Sequence, residues 1–321
     1  MKVFAYSHRA DETPYFDKFS KQLNIDVTLC DKGPDMKTAK LAAGYPCISI
    51  ITTKIDNKLM QRFYDLGVRF ISTRTVGYDH IDIESAKRLG IGVDNVSYSP
   101  SSVADYTVML ILMVLRKMKA ILLRSRLQNF ALSGIQGREL HNMTVGVIGT
   151  GRIGQTVIRQ LSGFGCRILA YDTKPNADDR QAFAKYVPFD ILLKESDIIT
   201  LHVPAAPDNR YLIDKETISQ MKDGVVLINT ARGALVHTQA LIEGIESGKI
   251  GGAALDVIEN ESHLYYRDLT GEILTHRELA LLQSYPNVIV TPHTAFYTDQ
   301  AVSDMVERSL LSCVNFMNQT R

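Results

Sequence analysis

Three side chains in the second half of this 321-residue chain have types that suit one reaction: Arg232, Glu261 and His293. A planar guanidinium can bind a carboxylate and polarise a neighbouring carbonyl at the same time. An imidazole can give a proton to an oxygen near neutral pH, and a carboxylate beside it orients the ring and favours its protonated form. Together the three types suit the reduction of a 2-oxo acid by hydride, with His293 as the proton donor.

Each of these three residues alone has an ordinary structural explanation. A single arginine after a strand usually pairs with a surface carboxylate, and a single histidine is more often structural than catalytic. Their shared position is more specific, because each follows an apolar run that predicts a strand of one parallel sheet. Ligands of such sheets bind beyond the carboxyl ends of the strands, so we expect the three side chains to converge there.

A glycine-rich loop in the middle of the chain predicts a dinucleotide site. Gly149, Gly151 and Gly154 form a Gly-x-Gly-x-x-Gly pattern directly after the β-branched run Val145–Ile148. The first glycine permits a tight turn, the second lets the backbone approach a pyrophosphate, and the third lets helix and strand pack closely. Asp172 stands about 20 residues further on, where a carboxylate can accept from the adenosine ribose. The internal position of the loop and the three polar residues favour NAD over a flavin.

Alternating strands and helices predict two α/β domains, each with a doubly wound parallel sheet. The predicted strands of the first 99 residues are Lys2–Tyr6, Asp26–Cys30, Cys47–Ile51, Phe70–Ser72 and Gly92–Asn95. Six more are predicted at Thr144–Ile148, Arg167–Tyr171, Ile198–Leu201, Val225–Asn229, Ala253–Val257 and Val288–Thr291. Ser102–Arg116 predicts a helix that is apolar nearly all round, buried inside one domain or against another subunit. The amphipathic segment Ala301–Asn315 predicts a helix that returns to the first domain.

The composition argues against several classes of partner. The chain is 45% apolar and 22% charged with a net charge of +1, so we expect no nucleic-acid partner and no membrane partner. The longest apolar run, Val108–Leu115, is too short to span a membrane, and Met1–Tyr6 is too short for a signal peptide. The four cysteines are scattered without metal-type spacing, which predicts reduced thiols and no metal site. We therefore expect a cytoplasmic protein.

Three stretches around the polar residues resemble the signature blocks of the D-specific 2-hydroxyacid dehydrogenases. They are Asn229–Gly233, Gly252–Val257 with Glu261, and Thr291–Ala295. Supporting stretches are Ile71–Gly77, His80–Asp82, Asp94–Pro100 and Phe296–Thr298. The resemblance covers essentially the whole chain. Within the family, the chain is most similar to the D-lactate dehydrogenases, including those of vancomycin-resistance clusters.

This resemblance implies an architecture and a set of partners. A Rossmann NAD domain, residues 100–294, would be inserted in a flavodoxin-like substrate domain formed by residues 1–99 and 295–321. The cofactor would be NAD, and the substrate would be a small 2-oxo or 2-hydroxy acid. The chain would form a homodimer with the help of the helix at residues 102–116.

The resemblance also implies roles for individual residues. Arg232 would bind the substrate, His293 would be the acid and base, and Glu261 would be its partner. The other substrate contacts would be Val76, Gly77, Tyr98 and Phe296. The cofactor contacts would be Gly149, Gly151, Arg152, Ile153, Gly154, Asp172, Val203, Pro204, Asn209, Thr230, Ala231, Arg232, Asp256 and His293. Lactobacillar lactate enzymes carry a pocket tyrosine at the end of the third strand, where this chain has Ile50 and so lacks the hydroxyl.

The leading hypothesis is the NADH-dependent reduction of pyruvate to D-lactate. A second hypothesis keeps the chemistry and takes a larger 2-oxo acid, such as 2-oxoisocaproate or phenylpyruvate. A third is a protein that only senses NAD, like the transcriptional corepressors of this family, because a fold alone does not define a function. The complete set of arginine, glutamate and histidine favours an enzyme.

Overall fold

The computed structural model describes residues 1–175, 183–261 and 264–319. Contacts divide the chain into two compact units, which we call the first unit (residues 1–99 with 297–321) and the second unit (residues 100–296). Among the described residues, no helix is long and apolar enough to cross a membrane. The same residues contain no group of three or more His, Cys, Asp or Glu side chains placed to hold a metal ion.

The first unit is built on five short strands. They are β1 (Lys2–Ala5), β2 (Asp26–Leu29), β3 (Cys47–Ile50), β4 (Phe70–Thr73) and β5 (Gly92–Asn95). All neighbours are parallel, and the order β2-β1-β3-β4-β5 is that of a flavodoxin-like doubly wound sheet. The predicted strands are confirmed to within one residue at each end. Strands β3 and β4 are completely buried and β1 is buried in three of its four residues, which accounts for their apolar patterns.

The helices of this part of the chain begin and end at recognisable signals. They are α1 (Thr13–Leu23), α2 (Asn57–Asp65) and α3 (Ile83–Leu89). The side chains of Asp56 and Asp82 cap α2 and α3 by accepting from backbone N–H groups in the first turn, each at 2.9 Å. Helix α3 is followed by the capping residue Gly90, whose φ of +70° is in the left-handed region that favours glycine.

The second unit is built on a seven-stranded parallel sheet. Its strands are β6 (Thr144–Ile148), β7 (Arg167–Tyr171), β8 (Lys185–Tyr186), β9 (Ile198–Leu201), β10 (Val225–Asn229), β11 (Ile250–Leu255) and β12 (Val288–Val290). The order is β12-β11-β10-β9-β6-β7-β8, with β6 and β9 flanking the point where the winding reverses. The prediction of six strands was wrong by one. Strand β8 has only two residues at the edge of the sheet, too few for an apolar pattern.

Helices cover the faces of this second sheet. They are α4 (Ser101–Leu115), α5 (Met118–Arg126), α6 (Arg152–Ser162), α7 (Phe189–Glu195), α8 (Lys215–Gln220), α9 (Thr238–Glu246) and α10 (Arg277–Ser284). Helix α4 packs against α6 and against strands β10 to β12. Its inner residues Leu110 and Ile111 are fully buried, whereas Met109 on the outer face is 40% exposed. One face of this apolar helix therefore belongs to the core of the unit.

Helix α5 and the residues after it expose a large apolar surface. No residue of α5 is buried. The large side chains at its end and beyond are 51–83% exposed: Leu122, Leu123, Leu127, Phe130 and Leu132. We call residues 122–132 the apolar segment.

The final helix, α11 (Asp299–Gln319), belongs to the first unit. It packs against α1, β3 and β4, and its residues Val306, Leu310 and Cys313 share a buried cluster with Phe16. The expected return of the chain to the first domain is thus observed, because the amphipathic helix buries its apolar face there.

Candidate active site

Three neighbouring strands position the candidate catalytic side chains. Arg232 follows β10, Glu261 follows β11 and His293 follows β12. These strands lie side by side in the sheet, and all are parallel. Because the carboxyl ends of parallel strands meet at one edge, the three loops start from the same edge of the sheet.

Glu261 and His293 form a hydrogen-bonded pair. His293 Nδ1 and Glu261 Oε1 are 2.5 Å apart, and each side chain keeps 23% of its surface exposed. The other oxygen of the carboxylate, Oε2, accepts from the backbone N–H of Ile258 at 2.9 Å. The carboxylate is therefore held on both oxygens and orients the imidazole, so that proton exchange with a substrate falls to Nε2.

A fully buried carboxylate holds the loop that carries His293. Asp256 Oδ1 accepts from the hydroxyl of Thr291 at 2.6 Å and from the N–H of Thr294 at 2.9 Å, and Oδ2 accepts from the N–H of Ala295 at 2.9 Å. The carbonyl of Asp256 accepts from the N–H of His293 at 2.8 Å. His293 has a φ of +54°, a conformation that L side chains adopt only when the surroundings impose it. Asp256, expected as a cofactor contact, thus uses both carboxylate oxygens to fix this loop.

The loop after β10 is fixed by the side chain of Asn229. Its Nδ2 donates to the carbonyl of Arg232 at 2.9 Å, and its Oδ1 accepts from the N–H of Ala231 at 3.0 Å. Arg232 Nη1 donates to the carbonyl of Ala231 at 2.7 Å. The fully buried Asn229 therefore sets the path of the backbone from which the Arg232 guanidinium extends.

Gly233 brings the loops after β10 and β11 into direct contact. A Cβ atom at this position would lie 2.0 Å from the carbonyl oxygen of Ile258, so no other residue fits. Ile258 is also the residue whose N–H binds Glu261. The segments that carry Arg232 and Glu261 are consequently packed backbone to backbone.

The glycine loop has the shape that a dinucleotide requires. Gly149 has a φ of +93°, and a Cβ at Gly154 would lie 2.0 Å from the Gly149 carbonyl oxygen. A Cβ at Gly151 would meet nothing within 4 Å, which leaves open space beside the backbone just before the N-terminus of α6. Gly149 and Gly154 are thus needed for the turn and for close packing, whereas Gly151 leaves room for a ligand beside the backbone. Arg152 and Ile153 are the first residues of α6. The loop fits a pyrophosphate.

Asp172 follows β7 and is tied to the glycine loop. Its Oδ2 accepts from the N–H of Thr150 at 2.7 Å, and its Oδ1 accepts from the N–H of Lys174 at 2.8 Å. Burial acts to raise the pKa of the Asp172 carboxyl, but the hydrogen bonds from Lys174 and Thr150 outweigh burial and lower the pKa. The carboxylate is therefore ionised at neutral pH, where it can accept from a ribose and repels a 2′-phosphate.

The loop after β9 provides the next predicted cofactor contacts. Val203 lies against the glycine loop, because a Cβ at Gly149 would be 2.7 Å from its Cγ1. Asn209 Nδ2 donates to the carbonyl of Pro204 at 2.7 Å and so closes this loop on itself. Burial lowers the pKa of His202, just before Val203, to about 3, so that the ring is neutral.

Thr230, the predicted contact after β10, is almost completely buried. Its hydroxyl lies 2.9 Å from the hydroxyl of Thr107 on α4. This hydrogen bond connects the loop that carries Arg232 to the helix packed beneath it.

In the first unit, the loop after β4 presents backbone N–H groups. The carbonyl of Thr75 accepts from the N–H of Val96 at 3.1 Å, that of Val76 accepts from the side-chain amide of Asn95, and that of Gly77 accepts from the Thr75 hydroxyl at 2.6 Å. In a trans peptide the N–H points away from the C=O, so tying down these carbonyls turns the N–H groups of Val76 and Gly77 outward.

Two further residues were expected to line a substrate pocket in this unit. Tyr98 is partly buried in the segment after β5. Ile50, at the end of β3, is fully buried and packs in a hydrophobic cluster with Tyr6, Ile48 and Ile71. Its side chain therefore belongs to the core of the first unit rather than to a pocket surface.

Sequence analysis assigned no role to Tyr266, which lies beside the pair of Glu261 and His293. Its hydroxyl donates to the carbonyl of His293 at 3.0 Å. The segment after Glu261 has no periodic pattern, so nothing in the sequence placed this residue next to the loop after β12. Burial and then the charges of Glu261 and Asp256 raise the pKa of the neighbouring Tyr265, which stays neutral.

Comparison with known proteins defines the family. Residues 108–295 match the family model described as the D-isomer specific 2-hydroxyacid dehydrogenase, NAD binding domain. The chain is 46% identical to the D-specific alpha-keto acid dehydrogenase of Enterococcus faecalis, over 98% of this chain and 97% of the relative. It is also 46% identical to the aromatic 2-oxoacid reductase of Clostridium sporogenes, over 98% and 96% of the two chains.

A solved structure gives the same result. The structure of the pyruvate reductase of Chlamydomonas reinhardtii superposes with a TM-score of 0.90 and 36% identity, covering 99% of this chain and 97% of that one. The chain belongs to the D-isomer specific 2-hydroxyacid dehydrogenase family, and its cofactor is NAD.

The pair of Glu261 and His293 predicts a loss of activity in Glu261→Gln. Glutamine keeps the size of the side chain but removes the negative charge that supports the imidazole as a proton donor. We expect kcat/KM for reduction at neutral pH to fall at least tenfold, with the melting temperature close to that of the wild type. Steady-state kinetics and thermal unfolding measure this, and near-wild-type kinetics would give Glu261 a purely structural role.

Proposed function

We propose that this chain reduces pyruvate to D-lactate with NADH and catalyses the reverse oxidation. The observation that carries the proposal is the 2.5 Å contact between His293 Nδ1 and Glu261 Oε1. A carboxylate-supported imidazole is the proton donor that carbonyl reduction needs. The similarity to a pyruvate reductase over nearly the full length of both chains supports pyruvate as the substrate.

In the proposed reaction, Arg232 binds the substrate carboxylate and polarises the 2-oxo group. The N–H groups of Val76 and Gly77 also bind the carboxylate, and Tyr98 and Phe296 contact the rest of the substrate. The hydride comes from NADH when it is bound. As the carbonyl oxygen becomes an alkoxide, it takes the proton from Nε2 of His293, while Glu261 keeps the ring oriented.

A larger 2-oxo acid is the second candidate substrate. Two relatives at 46% identity are described as a D-specific alpha-keto acid dehydrogenase and an aromatic 2-oxoacid reductase. A protein that senses NAD without turnover is the remaining alternative. Oxidation of NADH with pyruvate and with phenylpyruvate separates the three, since a sensor oxidises NADH with neither acid.

We also propose that the chain forms a homodimer in the cytoplasm. The apolar segment exposes five large hydrophobic side chains in sequence positions 122–132, and exposed patches of this kind mark interaction surfaces. Their exposure continues the apolar character of α4, the helix that the family resemblance associates with a second subunit. The four cysteines are unpaired, which suits a reducing compartment.

The Arg232 assignment predicts a specific loss in Arg232→Lys. Lysine keeps the charge but lacks the planar fork that can bind a carboxylate and a carbonyl together. We expect KM for pyruvate to rise and kcat to fall, giving at least a tenfold loss in kcat/KM, since polarisation strengthens in the transition state. NADH affinity and the melting temperature should stay close to wild type. Near-wild-type kinetics would remove Arg232 from the catalytic set.

The homodimer proposal predicts dissociation when charge enters the apolar segment. Leu127→Asp and Phe130→Asp together place two carboxylates where side chains of a second copy would pack. Analytical ultracentrifugation should give a dimer for the wild type and a monomer for the double variant. Asp31→Asn, a charge change at an exposed position of the first unit, is the control. A monomeric wild type would contradict the proposal.

A further inference from the structure

Three aromatic rings surround one another at the loop after β12. The ring centroid of Tyr266 is 6.0 Å from that of His293 and 6.3 Å from that of Phe296, and the His293 and Phe296 centroids are 6.4 Å apart. Phe296 meets both other rings edge on, at interplanar angles of 83° and 84°. The His293 imidazole, the proposed proton donor, is therefore at one corner of a triangle of aromatic rings.

Tyr266 has an unfavourable backbone conformation in this triangle of rings. Its φ of +63° lies in the left-handed region, which is unfavourable for a bulky aromatic residue. Half of its large side chain is exposed, so burial of the ring does not impose this backbone conformation. The hydrogen bond from its hydroxyl to the His293 carbonyl fixes the ring at one end. Backbone strain that the core does not require is a mark of functional sites.

The half-exposed ring lies beside the imidazole, at a centroid distance of 6.0 Å. A substrate whose 2-oxo oxygen accepts a proton from His293 Nε2 carries its side chain on the adjacent carbon. Among the residues that the structure describes in the second unit, Tyr266 and Phe296 have rings next to that imidazole. Aromatic rings attract one another edge to face beyond the gain from burial alone.

We propose that Tyr266, together with Phe296, binds the side chain of the substrate and lets the enzyme accept 2-oxo acids that carry an aromatic ring as well as pyruvate. This inference rests on the proposed reduction of 2-oxo acids and names the residue that selects among them. Tyr266 is a specificity residue that contacts the substrate, whereas Glu261 acts on the substrate only through His293.

The test compares kcat/KM for phenylpyruvate and for pyruvate in the wild type and three variants. Tyr266→Phe keeps the ring and loses the hydroxyl, so it should retain the wild-type ratio of the two values. Tyr266→Leu removes the ring, so kcat/KM for phenylpyruvate should fall about tenfold more than kcat/KM for pyruvate, mainly through KM. Tyr266→Asn removes the ring and suits the positive φ, so it should show the same loss even if the leucine variant folds poorly.

Phe183→Leu is the matched control. Phe183 is 53% exposed and precedes β8, at the opposite edge of the sheet from β12. Loss of an exposed aromatic ring there should leave both substrates unchanged. Melting temperatures and NADH binding measured by fluorescence report on folding independently of turnover.

Several outcomes would overturn the inference while leaving the proposed function intact. One is an equal change for both acids in Tyr266→Leu and Tyr266→Asn. Another is a loss in Tyr266→Phe as large as that in Tyr266→Leu, which would assign the effect to the hydrogen bond with His293. A wild-type enzyme that oxidises NADH with neither acid would instead contradict the proposed function and the inference with it.

Discussion

The hydrogen bonds of the Asp256 carboxylate hold the candidate active site together. This side chain has no exposed surface, and three donors from residues 291–295 bind its two oxygens. A buried carboxylate without such donors would cost several kcal/mol, so Asp256 and the loop stabilise each other. The φ of +54° at His293 persists because the loop is fixed on both sides of it. The His293 side chain therefore loses little conformational freedom when it pairs with Glu261.

The parallel sheet explains why so few contacts define the site. Strands β10, β11 and β12 end at one edge, and a short loop from each carries one of the three polar side chains. Gly233 closes the first loop onto the second, and the Glu261 carboxylate bridges the second loop to the third. The glycine loop and Asp172 follow strands of the same sheet. One edge of the sheet therefore carries both the cofactor-binding loop and the candidate proton donor.

The parts of the fold that the sequence predicts are those with buried, bounded strands. Four strands of the second unit, β6, β7, β9 and β10, begin and end where predicted, and three of them are buried at every residue. Strand β8 escaped prediction because two edge residues carry no pattern. The exposed surface of α5 was also not predictable, since the leucines in its sequence do not distinguish it from a helix that packs against a core.

The site shows the same division between local and long-range information. Motif spacing indicated Arg232, Glu261 and His293, because each lies directly after its strand. The use of Asp256 as a structural carboxylate depends on partners 35 to 39 residues away, which no local pattern encodes. The same holds for Tyr266, which reaches His293 across 27 residues. Resemblance to the family named Ile50 as a pocket position, but its complete burial is a property of packing in this chain.

Arg232, Glu261 and His293 are proposed to support D-specific reduction of a 2-oxo acid by hydride from NADH. This reduction is tested with NADH that carries deuterium at C4 on the transferred side and with pyruvate as the acceptor. Chiral chromatography and mass spectrometry of the product should find D-lactate with one deuterium at C2. The His293→Ala variant should form almost none of it. An L-configured product, or lactate without deuterium at C2, would contradict these roles.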